Sequence, residues 1–582
     1  MRSSLCGALV PQDSDTTMRV LWTLLYSASL AACLRLPRGR VTPLRVSTVD
    51  EMPVTARETW DDAAFKRGFS TMQSEDIYEI DASLLPEELE GTFFKNGHAK
   101  FEVGEDKILH PFEGDGMVSA VTIADGKAFF RNKFVRTEGF KREQKKGRVL
   151  YRGTFATPKS GGILANIFNT ESKNLANTHV LYWANKFFAL YEAGKPYKVD
   201  PASLSTFGES TLGGALKKQD WFAAHYKIDP KSKTLLNFSS KAQGLDGSTI
   251  TTYEFDEEFK LLQRRDISIP GWSFIHDMGI TENHFVLMQP PMTFDVVPFL
   301  LGQKCAVECS EFQPTQPSMF HVIPRDGKRE PVSIPAPGHF VFHVGNAFEE
   351  PDTGYIVFDQ VESSESLLSI DNIDKTKPLW ETTDFAKLAR NTFKRYKLDP
   401  KTGRVVGSTT LYDRCSEFPV VNPEFVGRPY RYVWSSIPPT TKTNGALQGL
   451  LKMDLETSER WTWFPEEYEF LSEACYAPRK LADGSFSKEE DDGFIVTYLL
   501  NGRDMKSEFV VFDAKEIQKG PISRVPLQDF IPHGLHGTFV PGLAFDLDKA
   551  KRASKLFTMA EKNKWNEVKS DFSGLGANFL FE

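Results

Sequence analysis

From about residue 75 onward the apolar residues of this chain come in short, dense runs of Val, Ile, Phe, Tyr and Thr divided by polar turns. Two such stretches are "MVSAVTIADGKAFFRNKFV" and "GFIVTYLLNGRDMKSEFVVFDA". Runs of β-branched and aromatic residues this short, bounded by Gly, Asp and Asn, predict strands joined by tight hairpins. One turn signal recurs: an apolar residue, then Asp, often Pro, then a Ser, Thr or basic residue before the next apolar run. It stands at Asp200, Asp229, Asp256, Asp399, Asp454 and Asp513. An aspartate there accepts from its own backbone a little further on, and Pro presets the following φ, so each instance is a turn with a mechanism. Repetition of one hairpin unit over about 400 residues favours small sheets arranged radially over a sandwich.

Helical periodicity is confined to a few places. They are "WDDAAFKRGFSTM" near Trp60, "TTDFAKLARNTFKRY", and the stretch from Leu547 to Val568, where Leu547, Ala550, Phe557 and Ala560 share a face. No linker separates them from the strands, so residues 56–582 read as one domain with a docked helical tail. Residues 1–55 read as a leader. From Met18 a basic residue precedes about a dozen mostly apolar ones, too few to span a bilayer, and an Arg-rich, acid-poor segment follows to Arg45. A signal-like core followed by a transit-like stretch resembles the leaders of proteins bound for the complex plastids of algae. The expected location is a plastid, with the secretory route as the alternative.

With 40% hydrophobic and 25% charged residues the chain can bury a large core and is not disordered. A net charge of −8 with interspersed signs and no basic stripe excludes a nucleic-acid partner. Six cysteines in 582 residues make no disulfide framework, which points to free thiols. The 46 phenylalanines suit an apolar channel as well as a core.

Four of the eleven histidines stand in distinctive surroundings: His225 in "WFAAHYKIDP", His276 in "FIHDMGIT", His343 in "FHVGNAFEE" and His536 in "IPHGLHGTFVP". Their separations fit no local metal motif, since zinc ribbons and zincin helices carry ligands a few positions apart. Only tertiary folding could bring them together. His533 lies three positions before His536, but Pro532, Gly534 and Gly537 oppose the helix a chelating pair would need, and it reads as structural.

These four flanks, with "GTFFKNGHAKF", "HPFEGDGMV", "KNLANT" and "GRPYRYVW", resemble the carotenoid cleavage oxygenases over most of residues 80–541. The resemblance implies an all-β, seven-bladed β-propeller with a helical and loop cap over the iron face and short helical termini. It implies Fe2+ held by His225, His276, His343 and His536. Glu192, Glu417 and Glu473 would orient those imidazoles, and Thr178 would stand beside an open coordination position. Implied too is dioxygen cleavage of a conjugated double bond in a lipophilic carotenoid or apocarotenoid, giving carbonyl products. Lys95 and His98 depart from the Arg and Pro common in the early element, a change expected to bear on packing or a channel rim.

Further expectations attach to that function. Trp272 and Phe274 are candidates for the tunnel wall. The apolar stretch Met292 to Cys305 is a candidate for peripheral membrane contact or for a buried loop. A lignostilbene-type dioxygenase is the alternative enzyme, and its phenol-activating Lys–Tyr pair would fall at Lys173 and Phe140, where the tyrosine is missing. A retinoid-isomerase-like activity and a non-catalytic propeller scaffold are the remaining readings.

Overall fold

Seven antiparallel sheets of four or five strands follow one another along the chain and form the blades of a propeller. The structure is a computed structural model and describes residues 58–243, 247–366 and 376–561, all within the compact unit Val46–Glu582. The expected leader and the part of the tail helix beyond 561 lie outside the described residues. The innermost strands of the second to seventh blades begin at His179, Lys227, Met278, Phe340, Glu417 and, in the seventh, Glu469 and Cys475. The first blade closes the ring. Its strand Gly91–Lys100 pairs on one side with Asp115–Ala124 and on the other with Gly537–Pro541 from the far end of the chain.

The core is divided into seven apolar layers, one between each pair of neighbouring blades. Phe93 packs with Phe494 and Phe509 of the seventh blade, whereas the next residue, Phe94, packs with Phe187 and Val180 of the second. Leu235 and Leu236 split in the same way between the second and fourth blades. A strand covered on both faces needs apolar residues at consecutive positions, and that is why the sequence shows unbroken runs rather than strict alternation. Each such Phe or Leu contributes about 1.5–3 kcal/mol by burial. The described cysteines, Cys305, Cys309, Cys415 and Cys475, are buried free thiols.

All six signalled aspartates accept backbone N–H groups: Asp200 from Ser203, Asp229 from Lys231, Asp256 from Glu258, Asp399 from Lys401, Asp454 from Glu456 and Asp513 from Lys515. Five of them turn the chain from the third to the outermost strand of a blade. The helix near Trp60 spans Asp62–Arg67, and the tail helix spans Leu547–Glu561 with Ala550 and Phe557 buried. "TTDFAKLARNTFKRY" is not a helix. It is one 3-10 turn, Phe385–Lys387, followed by the blade strand Thr392–Asp399, because Phe393 and Tyr396 fill interblade layers. Glu138–Lys146 is a helix that the periodicity did not single out, capped by Thr137 and by Gly147 in the left-handed region.

Candidate metal centre

The histidines of the site stand at or beside the innermost strands of four blades. His225 and His276 immediately precede the third and fourth blades, His343 lies within the first strand of the fifth, and His536 precedes the closing strand of the first. One ring nitrogen from each of the four lies within 4.8 Å of the others. The Nε2 atoms of His225 and His276 are 2.9 Å apart, and those of His276 and His343 are 3.3 Å apart.

The other ring nitrogens face outward onto carboxylates supplied by the blades that carry no histidine of the quartet. His343 Nδ1 donates to Glu417 Oε2 at 2.6 Å, and His536 Nδ1 donates to Glu473 Oε1 at 2.7 Å. His276 Nδ1 meets Glu192 Oε1. The carboxylates are held in turn. Glu417 accepts from Asn391 Nδ2 and from the Phe418 N–H, and Glu473 accepts from the Gly537 N–H and from Lys95 Nζ. Lys95, only 1% exposed, therefore lies one residue away from His536 rather than at a channel rim. His225 differs: its Nδ1 is 3.7 Å from Asp277, which pairs with Lys227 and accepts the Val344 N–H. Thr178 accepts the His536 N–H on its carbonyl at 3.1 Å and turns its hydroxyl to Asn177.

An Nδ1–H committed to a carboxylate leaves Nε2 as a bare lone pair. Several such lone pairs converge near 3 Å with no donor between them, and that arrangement repels itself unless a cation sits at its centre. Burial, and then the neighbouring imidazoles, hold His276 and His536 well below the usual histidine range. Burial does the same for His225, opposed in part by Asp277. For His343 burial, the largest influence, acts downward, but the Glu417, Asp277 and Glu473 carboxylates together outweigh it, and the net shift is upward. The donor set fits a divalent borderline metal with open positions.

Beside the quartet lies an apolar cavity of about 320 Å³, walled by Phe112, Phe155, Phe274, Phe342, Phe385 and Phe418 among others, with Thr178 in the same wall. Phe418 holds a left-handed backbone (φ 53°), unusual for a bulky residue, and its ring lies 5.0 Å from that of His343 and 5.4 Å from that of His536. A family profile described as "Retinal pigment epithelial membrane protein" matches residues 69–541. The chain belongs to the carotenoid cleavage oxygenase family. It is 36% identical over 482 residues to the apocarotenoid-15,15'-oxygenase of Synechocystis sp., covering 81% of this chain and 95% of that one. It is 30% identical over 474 residues to lignostilbene-alpha,beta-dioxygenase isozyme III of Sphingomonas paucimobilis, covering 78% and 92%. The crystal structure of cobalt-substituted Synechocystis ACO superimposes with a TM-score of 0.78 at 35% identity, over 83% of this chain and all of that one. Family membership makes the chain an oxidoreductase and removes the non-catalytic scaffold reading.

Against the family's pattern, some expected residues fall elsewhere. Trp272 does not line the cavity and stacks on Phe294, whereas Phe274 does line it. Lys173 is also outside the cavity wall. Its ammonium lies 2.6 Å from both Asp115 and Glu143, and Phe140 packs on Phe134. His533 contacts the Phe65 carbonyl, and His179 lies between the carbonyls of Ala224 and Gly537, beside the quartet but not in it. Lys95, Asp277 and Phe418 were not foreseen at the site. Only the adjacency of Asp277 and Phe418 to expected residues could have flagged them.

Proposed function

We propose that this protein is a non-haem Fe2+ dioxygenase that cleaves one conjugated double bond of a carotenoid or apocarotenoid into two carbonyl products. The observation that carries the reading is the convergence of four imidazole lone pairs at the wall of a hydrocarbon-lined cavity. His225, His276, His343 and His536 would hold the iron, which supplies dioxygen activation without an added electron donor. Glu192, Glu417 and Glu473 keep the imidazoles in one tautomer and orientation, and Thr178 limits the space beside His536. The phenylalanine wall excludes water, positions the polyene so that one double bond meets the centre, and offers ring faces to cationic character developing on it. A relative's crystal structure is described as cobalt-substituted, which supports a transition metal as the ion the quartet would hold.

Peripheral membrane contact is part of the same proposal. The segment Ile163–Asn166 with Phe168 and the helix Val296–Leu300 pack together through Arg152, whose guanidinium donates to the carbonyls of Asn166 and Phe299. Together they expose Ile163, Leu164, Phe168, Val297 and Leu301, with Leu164 82% and Phe168 65% exposed. Such a patch suits shallow insertion where a lipophilic substrate resides. A plastid location rests on the pattern of residues 1–55.

The stilbene alternative is disfavoured by Lys173, whose charge is spent on Asp115 and Glu143 outside the cavity. Iron-loaded protein should be incubated under isotopically labelled dioxygen with a panel of carotenoids, apocarotenals and a hydroxystilbene, with products identified by mass. Labelled aldehydes from a polyene are expected, and His276→Ala or His536→Ala protein should retain no stoichiometric metal. Cleavage of the stilbene alone, or turnover of a retinoid ester without oxygen uptake, would reverse the proposal.

A further inference from the structure

His110 stands in the cavity wall with one ring nitrogen uncommitted. It opens the motif "HPFEGDGM" and is 5% exposed. Its ring stacks on Phe155, with centroids 4.3 Å apart and planes 13° from parallel, and meets Phe112 edge-on at 5.0 Å. It also caps the 3-10 turn Pro111–Glu113, because the Phe112 N–H donates to its Nδ1 at 3.2 Å. A nitrogen that accepts carries no proton, so the neutral ring is the Nε2–H tautomer. Burial, and then the nearby His98, lower its pKa to about 3, so the ring is neutral at physiological pH.

Among the described residues nothing accepts from Nε2. Several other polar side chains of the wall donate to the protein itself, although Asn391 Oδ1 has no hydrogen-bond partner. Asn177 donates to the Phe112 and Gly114 carbonyls, Asn391 to Glu417, Asn444 to the Ala389 carbonyl, and Thr178 to Asn177. The Tyr191 hydroxyl lies against that of Thr154. A largely hydrocarbon cavity that presents a free imidazole N–H favours a ligand that brings an acceptor to it, because any other ligand leaves that donor unpaired.

We infer that His110 is a specificity-determining residue whose Nε2–H donates to an oxygen on the end group of the bound polyene. The inference rests on the polyene-cleavage reading above and adds a substrate class to it: polyenes ending in a carbonyl or hydroxyl oxygen are seated in preference to pure hydrocarbons. Phe112 and Phe342 lie between His110 and the quartet, with ring centroids 6.4 Å apart and Phe342 5.1 Å from His276. A conjugated chain is stiff, so holding one end at His110 fixes which double bond lies at the quartet.

The test uses the full chain in two arms. In the first, metal-free protein is loaded with an apocarotenal and the carbonyl stretch is read by infrared difference spectroscopy. A downshift from the value in hydrocarbon solvent is expected in the wild type and should be lost in His110→Phe, which keeps the stacked ring. His110→Asn keeps a cap acceptor for the Phe112 N–H but is too short to replace the donor, so it should lose the downshift as well and decides the matter if the phenylalanine variant does not fold. In the second arm the ratio of kcat/KM for an aldehyde-ended polyene to that for a hydrocarbon-ended polyene of equal length should fall about tenfold or more in either variant. An alcohol-ended polyene in the same series tells whether the oxygen is carbonyl or hydroxyl. An unshifted stretch in the wild type, or a ratio equal in wild type and variants, overturns the inference. Absence of any polyene cleavage overturns the parent reading instead, and the infrared arm still judges His110.

Discussion

The four histidines that converge, and the three glutamates that meet His276, His343 and His536, were singled out by flanks that resemble a known family. Lys95 was legible only as a departure from a motif. Nothing in its neighbourhood says that its ammonium lies 3.0 Å from Glu473, a residue almost four hundred positions away in the chain. His98 shows the same limit. It sits between Phe69 and Phe101 with neither ring nitrogen partnered, and burial lowers its pKa from the ordinary 6.5 to about 3. Between those values the unfolded chain binds a proton that the folded one does not, so stability is whole above about pH 6.5 and falls as the pH drops toward 3. The slope from this residue is about 1.4 kcal/mol per pH unit. Urea midpoints from pH 7 to 5 should therefore decline less steeply for His98→Phe than for wild type. Parallel curves would show that this ring does not titrate with folding.

Strands and turns were the most readable elements, because each blade repeats the same local chemistry. Asp326, which accepts the Lys328 N–H between Ser318–Pro324 and Val332–Ala336, makes the same turn in the fourth blade and extends the series noted from sequence. Helices were less readable. Thr382–Tyr396 carries helix-forming residues, yet the pairing of Thr392–Asp399 with Ile356–Ser363 and Arg404–Tyr412 outweighs that local preference. The stretch Met292 to Cys305 proved to be mixed: Val297 and Leu301 are exposed while Cys305 is buried. Its neighbour in space, the segment with Leu164 and Phe168, came from a part of the chain with no membrane signal. The double variant Leu164→Ser, Phe168→Ser should lose flotation with liposomes while keeping its melting temperature within a few degrees. Equal flotation of variant and wild type would remove the membrane contact.

Closure of the ring couples the fold to the site. The strand Gly537–Pro541 completes the first blade, and the residue before it is the last histidine of the quartet, whose N–H is held by Thr178 of the second blade and whose carbonyl accepts from Asn96. Truncation after Leu535 removes both the closing strand and that histidine. It should abolish the cooperative urea transition, whereas full-length His536→Ala should keep the transition and lose only the metal. A truncated chain that unfolds with the wild-type midpoint would show that closure contributes nothing to stability. The interblade layers explain the difference in expected cost, since an open ring exposes the layer of Phe93, Phe494 and Phe509 between the first and seventh blades.

The histidine quartet was picked out by a family resemblance; local chemistry, written in order along the chain, was enough to specify the hairpin unit, its turn aspartates and the all-β class. Those features depend on near neighbours in sequence, where propensity and side-chain-to-backbone bonding act. Which nitrogen faces inward, which lysine offsets which carboxylate, how Phe418 comes to lie against two of the imidazoles, and that His110 keeps a free N–H in a hydrocarbon wall were settled only when distant blades met. Burial and desolvation are properties of the assembled ring, and no short stretch of sequence carries them.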